Sequence, residues 1–541
     1  MVIGATRPRR ARVASASTPR PAVGRAGVTP LVDAAFACLA IATAVWYFHL
    51  SRGQSFHHDD WQIVQRYDDG LASLFRPHNG HLSLIPLFLY RLLFGLVGLR
   101  TYTPFRALGL MCLVAMAAAV YCLARARVGA VLALVAGIGV LWLPGTRQFP
   151  FLLNFYIPLT AAVVCAAAMT WTRRYGDIAI GAALTVALCS SAVGVSVAVA
   201  CIVHAALARA RWRRWIAILL PMSGWAVWWL TMGRHSLDTV RDNPFLQLSI
   251  GGRARLVWRG IIGTFDVLAA GRHGLGIALA VLFAGFVVWR VASRSSAGIG
   301  ALAWSAAVVA WWVGVVESRS WYGFDAPRYR HVAAVFVVLA VLPPSASHAA
   351  RRFGSRLAVG VAAVGLVAAL TWANRPSIVR AAESDTRFVR TLTSELVVAN
   401  LGPSVVPDSA GVHVAKRTLP AGTYRRLAAR FGPIDETPVS EVDRRLVALG
   451  AVRIGPVEVG HAVCTPLTTP FWRPAESELV LSAGRSPVTV RVRRFGPELV
   501  TAGVIPADHI ADVHLPGLGA RVPWEVQALG GCARPAASAG N

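Results

Sequence analysis

Apolar runs of about 18 residues or more recur through the first two thirds of this chain, and nothing else restricts its fold as strongly. A helix of that length covers the roughly 30 Å hydrocarbon core of a bilayer. With 55% hydrophobic and only 15% charged residues among 541, the chain cannot hide its apolar surface inside an ordinary soluble domain. The expectation is a multi-pass α-helical membrane protein.

Charge gives the orientation. The formal net charge is +28, but most arginines lie in short loops between apolar segments rather than in a patch interleaved with aromatics. That distribution orients a membrane chain and argues against nucleic acid as a partner. Residues 1–30 carry Arg7, Arg9, Arg10, Arg12, Arg20 and Arg25 with no acid, as in a disordered tail held in the cytoplasm. The first apolar segment, 31–50, is longer than a signal-peptide core and reads as a retained anchor.

Further spans are expected at 104–124, 128–144, 157–172, 177–192, 193–208, 214–232, 274–290, 297–316, 331–346 and 356–373. This assignment puts Arg125 with Arg127, Arg173 with Arg174, Arg209 to Arg214, Arg290 with Arg294, and Arg351 to Arg356 all inside. It gives about eleven spans in the plasma membrane, with the N-terminus cytoplasmic and the C-terminus outside. Two stretches resist. Residues 82–99 are interrupted by Pro86 and Arg91 and are read as an interfacial or re-entrant helix of a first outer loop, 51–103. Residues 256–270, cut by Arg259 and Asp266, make a poor span beside a loop made basic by Arg234, Arg241, Arg253 and Arg255.

Beyond 373 the composition changes. Residues 374–400 read as helix, and the rest, with alternating runs at 478–484 and 487–494, reads as β-rich. A C-terminal extracytoplasmic β-rich domain over 374–541, with a sandwich as one form, follows. Six cysteines lie in apolar segments, whereas Cys464 and Cys532 fall in this polar part, where a disulfide and two free thiols are both open.

Chemistry concentrates just after the first span. Asp59 and Asp60 are adjacent carboxylates, a residue type that takes a proton from an attacking hydroxyl, although Asp also caps helices. His57, His58, His78 and His81 crowd the same loop and are metal-ligand types at a spacing that matches no familiar zinc pattern. No metal or other cofactor is assigned; a divalent cation is the alternative use of these ligands. A second outer stretch carries Arg328, Tyr329 and Arg330, suited to a phosphate gripped bidentately or to interfacial anchoring. Arg147 and Asn154 lie in another outer loop. Walker A, Gly-x-Ser-x-Gly and His-Glu-x-x-His patterns do not occur, so ATP-driven transport, serine hydrolysis and zincin chemistry lose their usual support.

Asp59, Asp60 and Trp61 after the first span, the stretch Asn79 to Pro86 entering an interfacial helix, and the late Arg328 to Arg330 together resemble the glycosyltransferase C superfamily. The double-Asp form is similar to that of actinobacterial cell-envelope arabinofuranosyl- and mannosyltransferases. The resemblance implies a polyprenyl-phosphate sugar donor, a glycan or lipid acceptor, and membrane lipid around the chain. It implies Asp59 as base with Asp60 as its partner, and Arg328 and Arg330 at the donor phosphate. His58, Trp61, His78, Asn79, His81 and Tyr329 are the accompanying substrate-binding candidates. A carbohydrate-binding role for the β-rich domain is also implied. The rival readings are a lipid-linked glycan transporter, which would carry ionisable residues within its spans, and a non-catalytic envelope assembly protein.

Overall fold

A computed structural model describes residues 28–56, 59–78, 80–143, 153–171, 174–234, 249–293, 296–319, 326–343 and 357–414. Beyond these it describes 417–434, 441–442, 453–459, 465–466, 471–473, 477–483, 485–494, 498–515, 523–529 and 531–535. Helices come first: α1 Val28–Leu50, α2 Asp59–Gln65, α3 Leu84–Val97, α4 Thr103–Val128, α5 Ala130–Leu141, α6 Leu153–Ala168 and α7 Arg174–Leu188. Then follow α8 Val193–Leu207, α9 Trp212–Thr231, α10 Ile250–Leu268, α11 His273–Ala292, α12 Ser296–Arg319, α13 Pro327–Val341 and α14 Leu357–Ala399.

Among the described residues four helices are long and apolar enough to cross a membrane: Pro30–Leu50, Thr103–Val128, His273–Ala292 and Ser296–Ser318. Several others that the sequence reads as spans are shorter apolar helices, such as Ala130–Leu141, Leu153–Ala168 and Val193–Leu207. At 1.5 Å per residue they fall short of the hydrocarbon thickness. By this criterion the count of eleven is not reached.

The bundle has two polar ends of different kinds. At one, basic side chains meet acids and helix C-termini. Arg125 pairs with Asp33 at 2.6 Å, and Arg214 pairs with Asp177 at 2.6 Å while donating to the carbonyls of Met169 and Trp171. Cations at helix C-termini meet the negative end of the dipole and unsatisfied carbonyls. The opposite end, where α1 finishes and α4, α6 and α13 begin, carries the acidic motif.

The two ambiguous stretches both belong to the motif end. The α3 helix has 14 residues; Phe88, Leu92 and Leu96 form an exposed apolar row, while Leu87, Tyr90 and Phe94 are buried. Arg91 explains the interruption seen in the sequence. Its guanidinium donates to the carbonyls of Gly70 (2.6 Å) and Tyr67 (2.5 Å) and to Ser73 Oγ (2.7 Å), so it fastens α3 to the preceding loop. The first turn of α10 brings Arg253 beside Glu317, near the end of α12. It finishes with Val267 packed in a small cluster with Leu143, just past α5, and Ala334 of α13. Both ends of α10 therefore meet the motif end, and it lies across the bundle there.

The last bundle helix, α14, continues through Pro376 with no break in assignment and leaves its apolar half for a polar one. There Thr386 meets the backbone at Gly53, where an added Cβ would stand 2.3 Å from Thr386 Cγ2. Beyond α14, strands β1 Gly411–Val414 and β2 Arg417–Pro420 pair antiparallel ahead of helix α15, Ala421–Phe431. Nine more strands follow: β3 Arg453–Val459, β4 Thr465–Pro466, β5 Phe471–Arg473, β6 Ser477–Ala483 and β7 Val488–Arg493. The rest are β8 Val500–Ile505, β9 His509–Leu515, β10 Trp524–Gln527 and β11 Gly531–Pro535.

They form one sheet in the order β5-β10-β7-β8 and another in the order β3-β9-β6-β11-β4. The two alternating runs found in the sequence are β6 and β7. Although consecutive, they enter different sheets, and their apolar positions (Leu479 and Leu481; Val488, Val490 and Val492) share one core. Cys532, on β11, is disulfide-bonded; Cys464 lies outside the described residues, and the six cysteines of the apolar segments are free.

That core is continuous with the motif. Phe56, Trp61, Tyr90, Phe94 and Phe105 belong to the same apolar cluster as Tyr424, Leu481 and Val490. Gly98 marks a close approach: its φ is +63°, and an added Cβ would lie 2.3 Å from the carbonyl oxygen of Phe431. Gly98→Ala is expected to cost about 2 kcal/mol through positive φ and this overlap, read as a lowered unfolding temperature in detergent; an unchanged temperature would refute the contact.

On the polar half of α14, burial raises the Asp385 carboxyl to about 6 from its ordinary 3.8. The folded protein thus holds this proton more tightly than the unfolded chain. The stabilisation is full below about pH 4 and is lost as pH rises through about 6. Asp385→Asn should raise the unfolding temperature near pH 7 and leave it unchanged below about pH 4; an equal effect at both would refute the assignment.

Candidate functional site

The site is built on the junction between α1 and α4. After Leu50 the chain turns sharply, with Ser51 N bonded to Tyr47 O and Gln54 N to Ser51 O, both at 3.0 Å. Arg106, in the first turn of α4, donates to the carbonyl of Ser51 and lies over the Phe48 ring at 4.5 Å. One turn earlier, the Tyr102 hydroxyl donates to Asp60 Oδ2 at 2.9 Å. Tyr102 and Arg106 are four residues apart and share a helical face, so one face of α4 holds both ends of the α1–α2 connector.

The α2 helix begins at Asp59, which places Asp60 in its first turn, where a carboxylate suits the helix dipole. Asp60 is completely buried. A buried carboxylate is tolerated only when hydrogen-bonded. Tyr102, also buried, supplies that bond, and its own hydroxyl is pushed well above the usual tyrosine range by burial and then by the Asp60 charge. Trp61 is fully buried too. Its indole N–H donates to the Phe56 carbonyl at 3.2 Å, and its ring meets Tyr424 edge-on at 5.8 Å. Trp61 is thus a keystone between motif and β-rich part.

The histidine-containing turn is tight. His78 and His81 exchange both backbone bonds at 3.0 Å across Gly80, whose φ is +79°. This is a reverse turn leading to α3, and His78 is buried in it. Arg66, from the residue after α2, donates to the Pro77 carbonyl at 3.1 Å and ties that turn to the acidic one. His57, His58 and Asn79, like Arg147, lie outside the described residues, and Asp59 is described by its backbone alone. Among the described residues no group of three His, Cys, Asp or Glu side chains is placed to hold a metal ion.

Arg328, Tyr329 and Arg330 open α13. Tyr329 is buried; its carbonyl accepts from the Trp311 indole at 2.8 Å, and its ring meets Phe155 edge-on at 6.2 Å. Arg328 lies over the Tyr329 ring at 4.9 Å. Arg330 runs instead against α10 at Gly263, where an added Cβ would stand 2.9 Å from its Nε. The two arginines therefore leave the helix in different directions.

The first turn of α6 touches both sets. Leu153 packs in the cluster of Phe56, Trp61, Tyr102 and Phe105, whereas Phe155 packs on Tyr329 and Trp311. Sequence reasoning gave no role to Tyr102 or Arg106, because nothing local marks a residue 42 positions away as the partner of Asp60. Trp228 donates its N–H to the Phe75 carbonyl at 2.7 Å and docks α9 on the motif loop.

No family model matches the chain, and neither does any curated protein. Among solved structures the chain is similar to the crystal structure of ArnT from Cupriavidus metallidurans bound to undecaprenyl phosphate. The identity is 16%, over 78% of this chain and 88% of that one, with a TM-score of 0.43. At that score the likeness carries no part of the functional reading, which rests on the chain's own residues.

Tyr102→Phe removes the hydroxyl that answers a buried carboxylate and is expected to cost about 2 kcal/mol. Thermal unfolding of the purified variant checks this; a stability equal to wild type would show that Asp60 does not depend on Tyr102.

Proposed function

We propose that this protein is a membrane glycosyltransferase that moves a sugar from a polyprenyl-phosphate donor to a cell-envelope glycan or lipid. The observation that carries the reading is Asp60, a carboxylate buried at one end of an apolar helical bundle and held by Tyr102. Arg328 and Arg330 open α13, whose Tyr329 meets Phe155 of α6, and Leu153 of the same α6 turn shares the apolar cluster of Trp61 beside Asp60. An acid on one side and arginines on the other suit the transfer of an electrophilic carbon from a phosphate to a hydroxyl.

In this reading the acceptor hydroxyl attacks the anomeric carbon and gives its proton to Asp59, while Asp60 raises the proton affinity of its neighbour or holds the acceptor. The new C–O bond forms as the bond from the anomeric carbon to the phosphate oxygen breaks, and the electron pair leaves on the phosphate, which Arg328 and Arg330 stabilise. No ATP is required, because the donor brings its own leaving group. His58, His78, Asn79, His81, Trp61 and Tyr329 belong to the surrounding substrate-binding region. The motif end faces outward and the N-terminus inward, with the β-rich part, 374–541, on the outer side as a carbohydrate-binding unit.

The test is transfer of radiolabelled sugar from polyprenyl-phosphate donors by the purified protein. Asp59→Asn and Asp60→Asn should each lower the rate by roughly a hundredfold or more, as expected for loss of a general base or its partner. Full activity in Asp59→Asn would remove it as base. No transfer by wild type with any donor, alongside normal donor binding, would favour the transporter or assembly reading.

A further inference from the structure

Polar groups that the proposed mechanism does not use lie where α14 passes the connector between α1 and α2. The buried face of α14 runs through Ile378, Ala382, Val389, Leu392 and Leu396, each no more than 1% exposed. Asp385 falls on that face, three residues after Ala382 and four before Val389. Ile378 belongs to the core of the bundle and Leu392 to the cluster of Phe56 and Trp61, so Asp385 stands at the seam between the two.

Its neighbour Thr386 is the side chain that meets the backbone at Gly53. The residue after Gly53 is Gln54, which is 5% exposed, and neither end of its amide has a hydrogen-bond partner among the described residues. Burial alone shifts the Asp385 carboxyl, with no cation or hydrogen bond opposing it. The two residues thus flank one close contact, each about 3.8 Å along its chain from it. Tyr156 and His331, whose rings meet with centroids 6.0 Å apart, also lack partners, but at 1% and 2% exposure they are closed within the bundle. Asp385 remains partly exposed, so a ligand can reach it, and Asp59 lies only five residues beyond Gln54.

The chemistry of the two groups selects the ligand. A carboxylate only accepts hydrogen bonds, whereas an amide both donates and accepts. Hydroxyl groups answer both. A phosphate would be repelled by Asp385, and an alkyl chain would leave carboxylate and amide unpaired. Two such groups side by side call for two hydroxyls on one ligand, as on neighbouring carbons of a sugar ring.

We propose that Gln54 and Asp385 are specificity-determining residues that hold the non-reacting hydroxyls of the acceptor, so that the acceptor is a sugar rather than a lipid alcohol. This inference rests on the transferase reading and decides between the two acceptor classes which that reading leaves open. A site built to hydrogen-bond hydroxyls rejects a molecule lacking them, because its buried polar groups are then left unpaired.

The experiment uses the full-length protein in nanodiscs and saturation-transfer NMR. The probes are the methyl glycosides of arabinofuranose, mannose, galactose and glucose, with 1-octanol as the lipid alcohol. Wild type should bind at least one glycoside, and octanol should not displace it. Gln54→Leu keeps the bulk and removes both amide atoms. It should weaken glycoside binding about tenfold or more, with an unfolding temperature equal to or above wild type. Asp385→Asn should act in the same direction.

Unchanged glycoside binding in Gln54→Leu would overturn the proposal, as would displacement by octanol or a wild type that binds none of the four. A Gln54→Leu protein less stable than wild type would show that the amide is already satisfied, and would also count against it. Sugar transfer by wild type whose acceptor KM Gln54→Leu leaves intact sinks this inference alone. Glycoside binding lost in Gln54→Leu, in a wild type that transfers no sugar, leaves the sugar site standing and removes the transferase reading.

Discussion

The structure depends on burying the carboxyl group of Asp60 at the edge of an apolar bundle. Water cannot solvate it there, so protein must. The Tyr102 hydroxyl does so from the N-cap of α4, and Arg106, one turn further on, grips the Ser51 carbonyl at the other end of the same connector. A short helix of seven residues would not persist alone. It is held by these two bonds and by Trp61, whose ring is closed in between the bundle and α15.

Around that point the apolar interior divides into two regions. One fills the bundle and is lined mainly by Ala, Val and Leu, whose small volumes let helices approach closely. The other is aromatic near the motif and aliphatic between the two sheets, and it runs without interruption from Phe56 and Phe105 to Val490 and Val513. The β-rich part is therefore packed onto the motif rather than hung from the end of α14. Movement of the sheets relative to the bundle would disturb the wall behind Asp60.

Polar side chains at the motif end fall into two kinds. Arg66, Arg91 and Trp228 spend their donors on loop carbonyls at Pro77, Gly70 and Phe75, and so give an irregular loop the backbone partners it lacks. Tyr156 and His331 donate to nothing. The first kind accounts for a loop of defined shape, and the second marks where the fold leaves hydrogen-bonding capacity unspent.

The sequence by itself determined that the chain is a helical membrane protein, that two adjacent carboxylates follow its first apolar segment, and that strands come late. Hydrophobic length and period are local properties, and so is the adjacency of Asp59 to Asp60. Arg91 and Pro86 mark 82–99 as interrupted from sequence alone, and only the structure shows what Arg91 binds, the carbonyls of Gly70 and Tyr67. Only the tertiary structure decided that Tyr102 answers Asp60, that β6 and β7 part into different sheets, that Arg328 and Arg330 diverge, and that Tyr156 meets His331. Each of these joins residues far apart in the chain or depends on the rotation of a helix about its axis. Such matters are settled by how whole helices pack, a property that no single stretch of sequence carries.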